Sequence, residues 1–444
     1  MTASFSWPTA SRIGRATMFV RILLSSSATK TWEPRHAANF IARRWRRVLA
    51  TPFFCSARMK RVQSRRRRTR RLERPTQRVR KWGHEVSLRH QGIRAALNTL
   101  AFTKATRWLP TEPKGSGLVL TLHEVKPEPP AAFAPNAGLV IAPDFLDALL
   151  RLLRQADRRI VPLGEMVANQ MAGRASPNDV AITLDDGFRN NLEKALPVFR
   201  RHRTPFTTFI CAGFCDRSAA PWWVALERMI AANSEFGLEG EGPGRMPTST
   251  TAEKYAAFAA WRQALLVDLD GVQHREVMAR LYEAHDFDAH ALTDELVLDW
   301  DGVRLLAEEP LATIGAHTMT HPALARLPAD SALAEIKESA DRIADETGER
   351  PDLLAYPYGF PGAVGGREAA LAAQAGMKAA FLTKPGTLRP SADPRFLPRV
   401  SLNGYYQDVG LQEILLAPGL WRIAEPLMQA KNALRRGRDV PSTR

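Results

Sequence analysis

The sequence predicts an α/β fold: a distorted, incomplete (β/α) barrel carrying a helical insertion and a basic N-terminal extension. Three observations predict it. From about residue 115 short apolar runs alternate with amphipathic stretches, the pattern of a mainly parallel sheet. There are too many such units, and too few glycine-rich turns, for a dinucleotide-binding domain. Polar residues also gather just after the apolar runs, at the rim where barrel chemistry collects.

The 444 residues are 45% hydrophobic and 24% charged, the balance of a globular chain able to bury a large core. The net charge of +16 suggests nucleic acid until it is located. Residues 1–100 hold 24 Lys and Arg against 3 Asp and Glu, leaving 38 against 43 for the remainder. The excess basicity therefore lies in residues 1–90, with "RRWRR" at 43–47 and Arg-rich 65–81, where no periodicity marks a helix or strand. We expect this extension to be disordered, a solvated tail or an arm for an anionic surface of lipid or nucleic acid. No apolar run approaches the ~20 residues of a membrane span. "MFVRILL" (18–24), broken by Arg21, makes a poor signal core, which leans the location toward the cytoplasm. Cys55, Cys211 and Cys215 give no disulfide framework.

A barrel domain is expected over 91–420, followed by a tail at 421–444. "GIRAALNTLAFTKATRWL" (92–109) reads as a helix before the breaker-rich 110–117. "LVLTL" (118–122) is a strand, and 143–155 is a helix with Pro143 near its start. Met166 and Met171 lie on an apolar helical face and are expected in the core. "VAITL" (180–184) is a strand, 191–202 a helix and "FTTFI" (206–210) a strand. About 221–310 the rhythm breaks into helices around the flexible 237–250, the expected insertion. Alternation then resumes with strand 311–316, helix 330–346, strands 353–356 and 379–382, and a last strand at 397–402.

The ends of these strands carry the chemistry. His123 follows the first, Asp185 and Asp186 follow "AITL", His317 follows "ATIGA" with His321 four residues on, and Tyr358 follows "LLAYP". Alone, each has an ordinary reading: a satisfied histidine, or an Asp–Asp–Gly turn. Together on one rim they offer two imidazoles and a carboxylate, a set suited to Zn²⁺ with a position left for water. The His-x-x-x-His spacing puts both rings on one face of a helix, and Pro322 suggests a helix beginning near His321. One aspartate would bind the cation and its field would keep the other ionised as a base.

These residues resemble the polysaccharide deacetylase family, the NodB-homology domain of carbohydrate esterase family 4. The resemblance covers about 115–405, interrupted by the insertion. "TLDDGF" (183–188) is similar to the motif T-F-D-D-G, and "HTMTHPAL" (317–324) to H-[ST]-x-x-H-x-x-L. The resemblance implies a distorted barrel with fewer than eight strands, Asp185 as general base, and Asp186, His317 and His321 as ligands of a divalent metal, Zn²⁺ or Co²⁺. "AYPYG" (355–359) meets the motif R-x-P-[YF], so the Tyr358 N–H would bind an oxyanion. Ala355 stands where the family has the arginine that steadies its aspartate; Arg399 in "LPRV", at the end of another strand, is a candidate replacement.

The family's late histidine is missing from "LPRVSLNG" (397–404). "LTLHEV" (120–125) is similar to a segment of the deacetylases acting on poly-N-acetylglucosamine, which implies His123 as general acid. The expected activity is removal of N-acetyl groups from an N-acetylglucosamine-containing glycan, by attack of a metal-bound water. Tyr356, Asn136 and Arg399 are expected to bind substrate. Trp222 and Trp223 are better read as insertion core than as sugar platforms. Two other readings stand: a weakened carbohydrate-binding homologue, suggested by the departures, and a nucleic-acid binder using the basic arm, disfavoured by the acidic body.

Overall fold

The computed structural model describes residues 116–426 apart from Ser391 and Pro418, with Gly92, Arg94, Ala95, Leu97–Thr99 and Leu109 before them. The basic arm, Cys55, most of the 92–109 helix and the tail beyond 426 lie outside the described residues. No helix among the described residues is long and apolar enough to cross a membrane.

Seven parallel strands form the frame: β1 (Leu118–Leu122), β2 (Asp179–Leu184), β3 (Phe206–Ile210), β4 (Ala312–Ala316), β5 (Leu353–Ala355), β6 (Ala379–Phe381) and β7 (Val400–Ser401). Their order is β6-β5-β4-β3-β2-β1-β7, and the short strand Arg159–Ile160 pairs with the start of β2. Every pairing along this path is parallel. Just before β7, Leu397 pairs with Phe381 of β6, so one bridge brings the two ends of the curled sheet together. The result is an incomplete barrel of α/β type, as the alternation predicts.

Period-two alternation sorts each strand between two environments. Leu118, Leu120 and Leu122 of β1 and Val180, Ile182 and Leu184 of β2 belong to the large cluster shared with helices 143–155 and 196–202. Val119, Ala181 and Phe209 point the other way, into a cluster with Leu353, Phe381 and Leu397. Gly315 on β4 is required there, since a Cβ would meet the Phe209 ring at 2.4 Å. Met166 joins that cluster, but Met171 does not: the helix ends at that residue and its side chain is 60% exposed. Cys211 and Cys215 are buried free thiols, and burial pushes Cys215 up to about 12.

Between β3 and β4 the chain forms helices Trp222–Ala232, Thr251–Gln263, Gly271–Ala284, Ala289–Leu296 and Trp300–Ala307. Thr250 and Asp270 start two of them through reciprocal capping boxes. These helices share a separate core of Trp222, Trp223, Phe236 and Trp261. Phe188 bridges to Val297, and Leu298 N–H donates to Gly187 O at 3.0 Å. The helical segment is therefore fastened to the loop that follows β2.

Candidate metal centre and active site

The loop after β2 delivers two acids with opposite partners. Asp185 is 1% exposed and meets Arg399 in a two-pronged ion pair, Nη1 to Oδ1 and Nη2 to Oδ2, both 2.7 Å. Arg399 is wholly buried and spends its other donors on Leu382 O (Nε, 3.0 Å) and Thr183 Oγ1 (Nη1, 3.1 Å). Its guanidinium also lies 5.5 Å from the Phe209 ring centre. Burial would push the Asp185 carboxyl up, but Arg399, His317 and His123 together hold it below the ordinary range. The guanidinium thus reaches Asp185 from the residue just before β7. Asp185 has its counter-charge within the chain and needs no metal field to stay ionised.

Asp186 is the contrasting case. It is 1% exposed, and neither carboxylate oxygen has a hydrogen-bond partner among the described residues. His317 Nε2 and His321 Nε2 stand 3.2 and 3.3 Å from its Oδ1. One ligand atom from each of Asp186, His317 and His321 lies within 4.8 Å of the others. Burial opposes ionisation of Asp186, yet the two imidazoles and His123 hold its carboxyl far below the ordinary range.

The imidazoles are oriented from behind. His317 Nδ1 lies 2.7 Å from Ala355 O, an acceptor only, so Nδ1 carries the proton and the Nε2 lone pair faces Asp186. His321 Nδ1 sits 3.2 Å from the Tyr358 hydroxyl, which accepts from Trp222 Nε1 at 2.7 Å and donates to His321 O at 3.2 Å. That pattern makes His321 Nδ1 a donor too. Burial pushes the His317 imidazole down, but Asp186 and Asp185 outweigh it and leave it raised; burial, His317 and His123 leave His321 lowered. Two lone pairs and an unpartnered carboxylate turned toward one point suit a divalent cation of borderline softness. The donor set fits such an ion.

Backbone strain concentrates at the same place. Asp186, Thr318, His321 and Tyr358 have φ of 76°, 66°, 59° and 62°, in the left-handed region that costs L-residues ~1–2 kcal/mol each. The expected helix at His321 is absent: only the turn Leu324–Arg326 is helical, and the two rings converge through this strained loop. Pro322 rules out a hydrogen-bonded amide at that position without starting a helix.

His123 sits on the same rim, its side chain 15% exposed, with Nε2 4.0 Å from Asp185 Oδ2. Asn191 Nδ2 holds its carbonyl at 2.8 Å, while Glu124 and Asn190 pin the next turn. Tyr358 N–H has no acceptor among the described residues. The three residues expected to touch substrate are placed otherwise. Tyr356 is 1% exposed with its hydroxyl on Arg395 O, so it belongs to the core. Asn136 spends its amide on Trp223 O and Glu227 Oε2, at 2.8 and 2.7 Å. Arg399 is sealed behind Asp185 with no exposed surface, and four of its five N–H donors are occupied inside the barrel.

Trp222 and Trp223 pack as core, yet they reach the site. Trp222 anchors the Tyr358 hydroxyl, and the Trp223 ring lies 4.6 Å from that of His321. Glu335 was not anticipated at all; it binds the turn between the histidines, and its signal was a charge flanking the buried positions Ala332, Ile336 and Ala340 of helix Ala329–Thr347.

A family model described as polysaccharide deacetylase matches residues 172–279 and 273–380. Among solved structures, the chain is similar to the Streptococcus pyogenes deacetylase PplD in complex with acetate (15% identity, 68% of this chain, 98% of that one, TM-score 0.45). It is similar also to IcaB from Ammonifex degensii (17% identity, 69% and 98%, TM-score 0.43). A third is the BpsB deacetylase domain from Bordetella bronchiseptica (17% identity, 66% and 97%, TM-score 0.40). No curated protein matches the chain.

Proposed function

We propose that this chain, whose residues 172–380 match the polysaccharide deacetylase family model, removes N-acetyl groups from an N-acetylglucosamine-containing glycan with the help of a divalent metal, Zn²⁺ or Co²⁺. Asp186, His317 and His321 would hold the ion. When bound there, it would acidify a water molecule and polarise the acetyl carbonyl. The observation that carries the reading is the Asp186 carboxylate, buried, unpartnered and faced by two imidazole lone pairs.

In this proposal Asp185, kept anionic by Arg399, takes the proton of the attacking water. Tyr358 N–H donates to the oxygen that becomes negative as the carbonyl carbon turns tetrahedral, a contribution of about 3 kcal/mol in comparable sites. His123 gives a proton to the departing nitrogen, and the C–N bond breaks to leave acetate and a free amine. Its partly exposed ring, facing Asp185 without a side-chain hydrogen bond, supports that role. Arg399 also speaks against a weakened binding homologue, since the apparent loss at position 355 is made good from another strand.

The test is acetate release from a panel of N-acetylated glycans with added Zn²⁺, Co²⁺ or chelator, comparing wild type with Asp185→Asn and Asp186→Asn. We expect metal-dependent release by wild type and loss of ~10²-fold or more in both variants. Release that is indifferent to chelation and to Asp186→Asn would overturn the proposal.

A further inference from the structure

Between His317 and His321 the chain makes a turn that its own residues disfavour. Thr318 and His321 are both left-handed, and neither is glycine. Such geometry persists only where the surroundings impose it. Helix Ala212–Cys215 presses from one side: Ala212 N–H donates to Thr318 O at 3.2 Å and Gly213 N–H to Met319 O at 2.8 Å. Gly213 permits this approach, since a Cβ would fall 2.3 Å from Met319 O.

Glu335 grips the turn from the other side. Its Oε2 accepts from Met319 N–H at 2.9 Å and Thr320 N–H at 2.8 Å, and its Oε1 from Thr320 Oγ1 at 2.6 Å. One carboxylate therefore satisfies two successive amides and a hydroxyl in the three residues separating the histidines. Met319 N–H also reaches the Glu335 backbone oxygen at 3.1 Å, but Thr320 N–H has no other acceptor among the described residues, a costly state for a backbone group without the carboxylate. The carboxylate itself is pushed up by burial, so a free glutamate would not favour this place without those donors.

We infer that Glu335 is a positioning residue: its carboxylate clamps Met319 and Thr320 and thereby sets the spacing and direction of His317 and His321. This rests on reading those histidines as metal ligands. The clamp is geometric rather than electrostatic. A glutamine can reproduce it, with its amide oxygen accepting both N–H groups and its NH₂ donating to the Thr320 hydroxyl, which turns to accept. Alanine cannot.

The experiment uses the full chain and measures Co²⁺ and Zn²⁺ affinity by chelator competition, the visible Co²⁺ absorption band, and unfolding in urea. Glu335→Ala is expected to weaken metal affinity about 10–100-fold and to alter the Co²⁺ band. Glu335→Gln should stay within about threefold of wild type with the band unchanged, the rescue that a pure hydrogen-bond clamp permits. Thr320→Val, which removes one of three donors, should fall between them and serves where the alanine variant does not fold. Wild-type affinity and spectrum in a folded Glu335→Ala would overturn the inference. So would Glu335→Gln losing as much as alanine, or Thr320→Val binding as wild type while glutamine does not. Failure of the ligand reading looks different: wild type, or Asp186→Asn beside it, would show no distinct metal binding.

Discussion

Replacing Arg399 with methionine isolates what the buried ion pair contributes. The change removes two charge-assisted hydrogen bonds of 2.7 Å to Asp185 while roughly preserving side-chain volume. Each such bond is worth about 1.5–3 kcal/mol, and breaking one side of a buried pair costs about 3–5 kcal/mol because the remaining charge is stranded. The sign follows from the wild-type shift. With Arg399 present the carboxyl is held below its ordinary value of 3.8, so the pair stabilises fully above that value and is lost as pH falls through the folded one. Without Arg399, burial alone acts and the carboxyl rises. The variant should therefore be weakest near neutrality, and its deficit should narrow as the solution is acidified toward about pH 4. Urea unfolding from about pH 4 to 8 with chelator present reads this directly. Adding Asp185→Asn should recover most of the stability and none of the acetate release. Coincident unfolding curves for Arg399→Met and wild type, or no recovery in the double variant, would refute the reasoning.

The other expectations concern separate parts of the molecule. His123→Ala should lower acetate release by about 10²-fold or more while metal content, measured by elemental analysis, stays at the wild-type level. Gly213→Ala should cost about 1–3 kcal/mol in urea unfolding and weaken metal affinity, since the new methyl displaces Met319 O from 2.3 Å. Asp147 joins helix 143–155 to Arg201 and His202 at 2.9 and 2.8 Å. Burial pushes its carboxyl up, but His202, Arg201 and Arg151 hold it below 3.8. Its contribution is thus present above that value and lost in acid. Asp147→Asn should cost about 1 kcal/mol at neutral pH, discounted for the exposed arginines, and progressively less in thermal unfolding as the solution is acidified below 3.8.

The barrel strands were legible because each is a short apolar run whose period-two pattern divides between helices and barrel interior. The candidate metal-binding group was legible because Asp186 and His317 stand just after such runs, with His321 four residues on. Roles that depend on long-range pairing were harder to read. Nothing local marks Arg399 as the partner of Asp185; the pairing forms only because the bridge Leu397–Phe381 brings the two ends of the sheet together. Tyr356 and Tyr358 differ by two positions and look alike in sequence. The strand sends Tyr356 into the core, and the left-handed turn sends Tyr358 to His321. The helix expected at Pro322 failed because proline's favourable position at a helix start carries no weight against a loop clamped on both sides. Glu335 acts on a turn 15 and 16 positions before it and Trp222 on Tyr358, 136 positions on, contacts that no local pattern of the sequence spells out.

The last strand has a consequence for the order in which the molecule comes into being. Arg399 lies 214 positions after Asp185, so a nascent chain emerging from the ribosome exposes its two acids, and later its histidines, long before their counter-charge exists. Until that late segment docks, Asp185 has no reason to enter a dry interior ionised. Competence for chemistry should therefore switch on at the end of synthesis rather than accumulate along the way, and a premature stop before residue 399 should leave a product that is inert and poorly folded together.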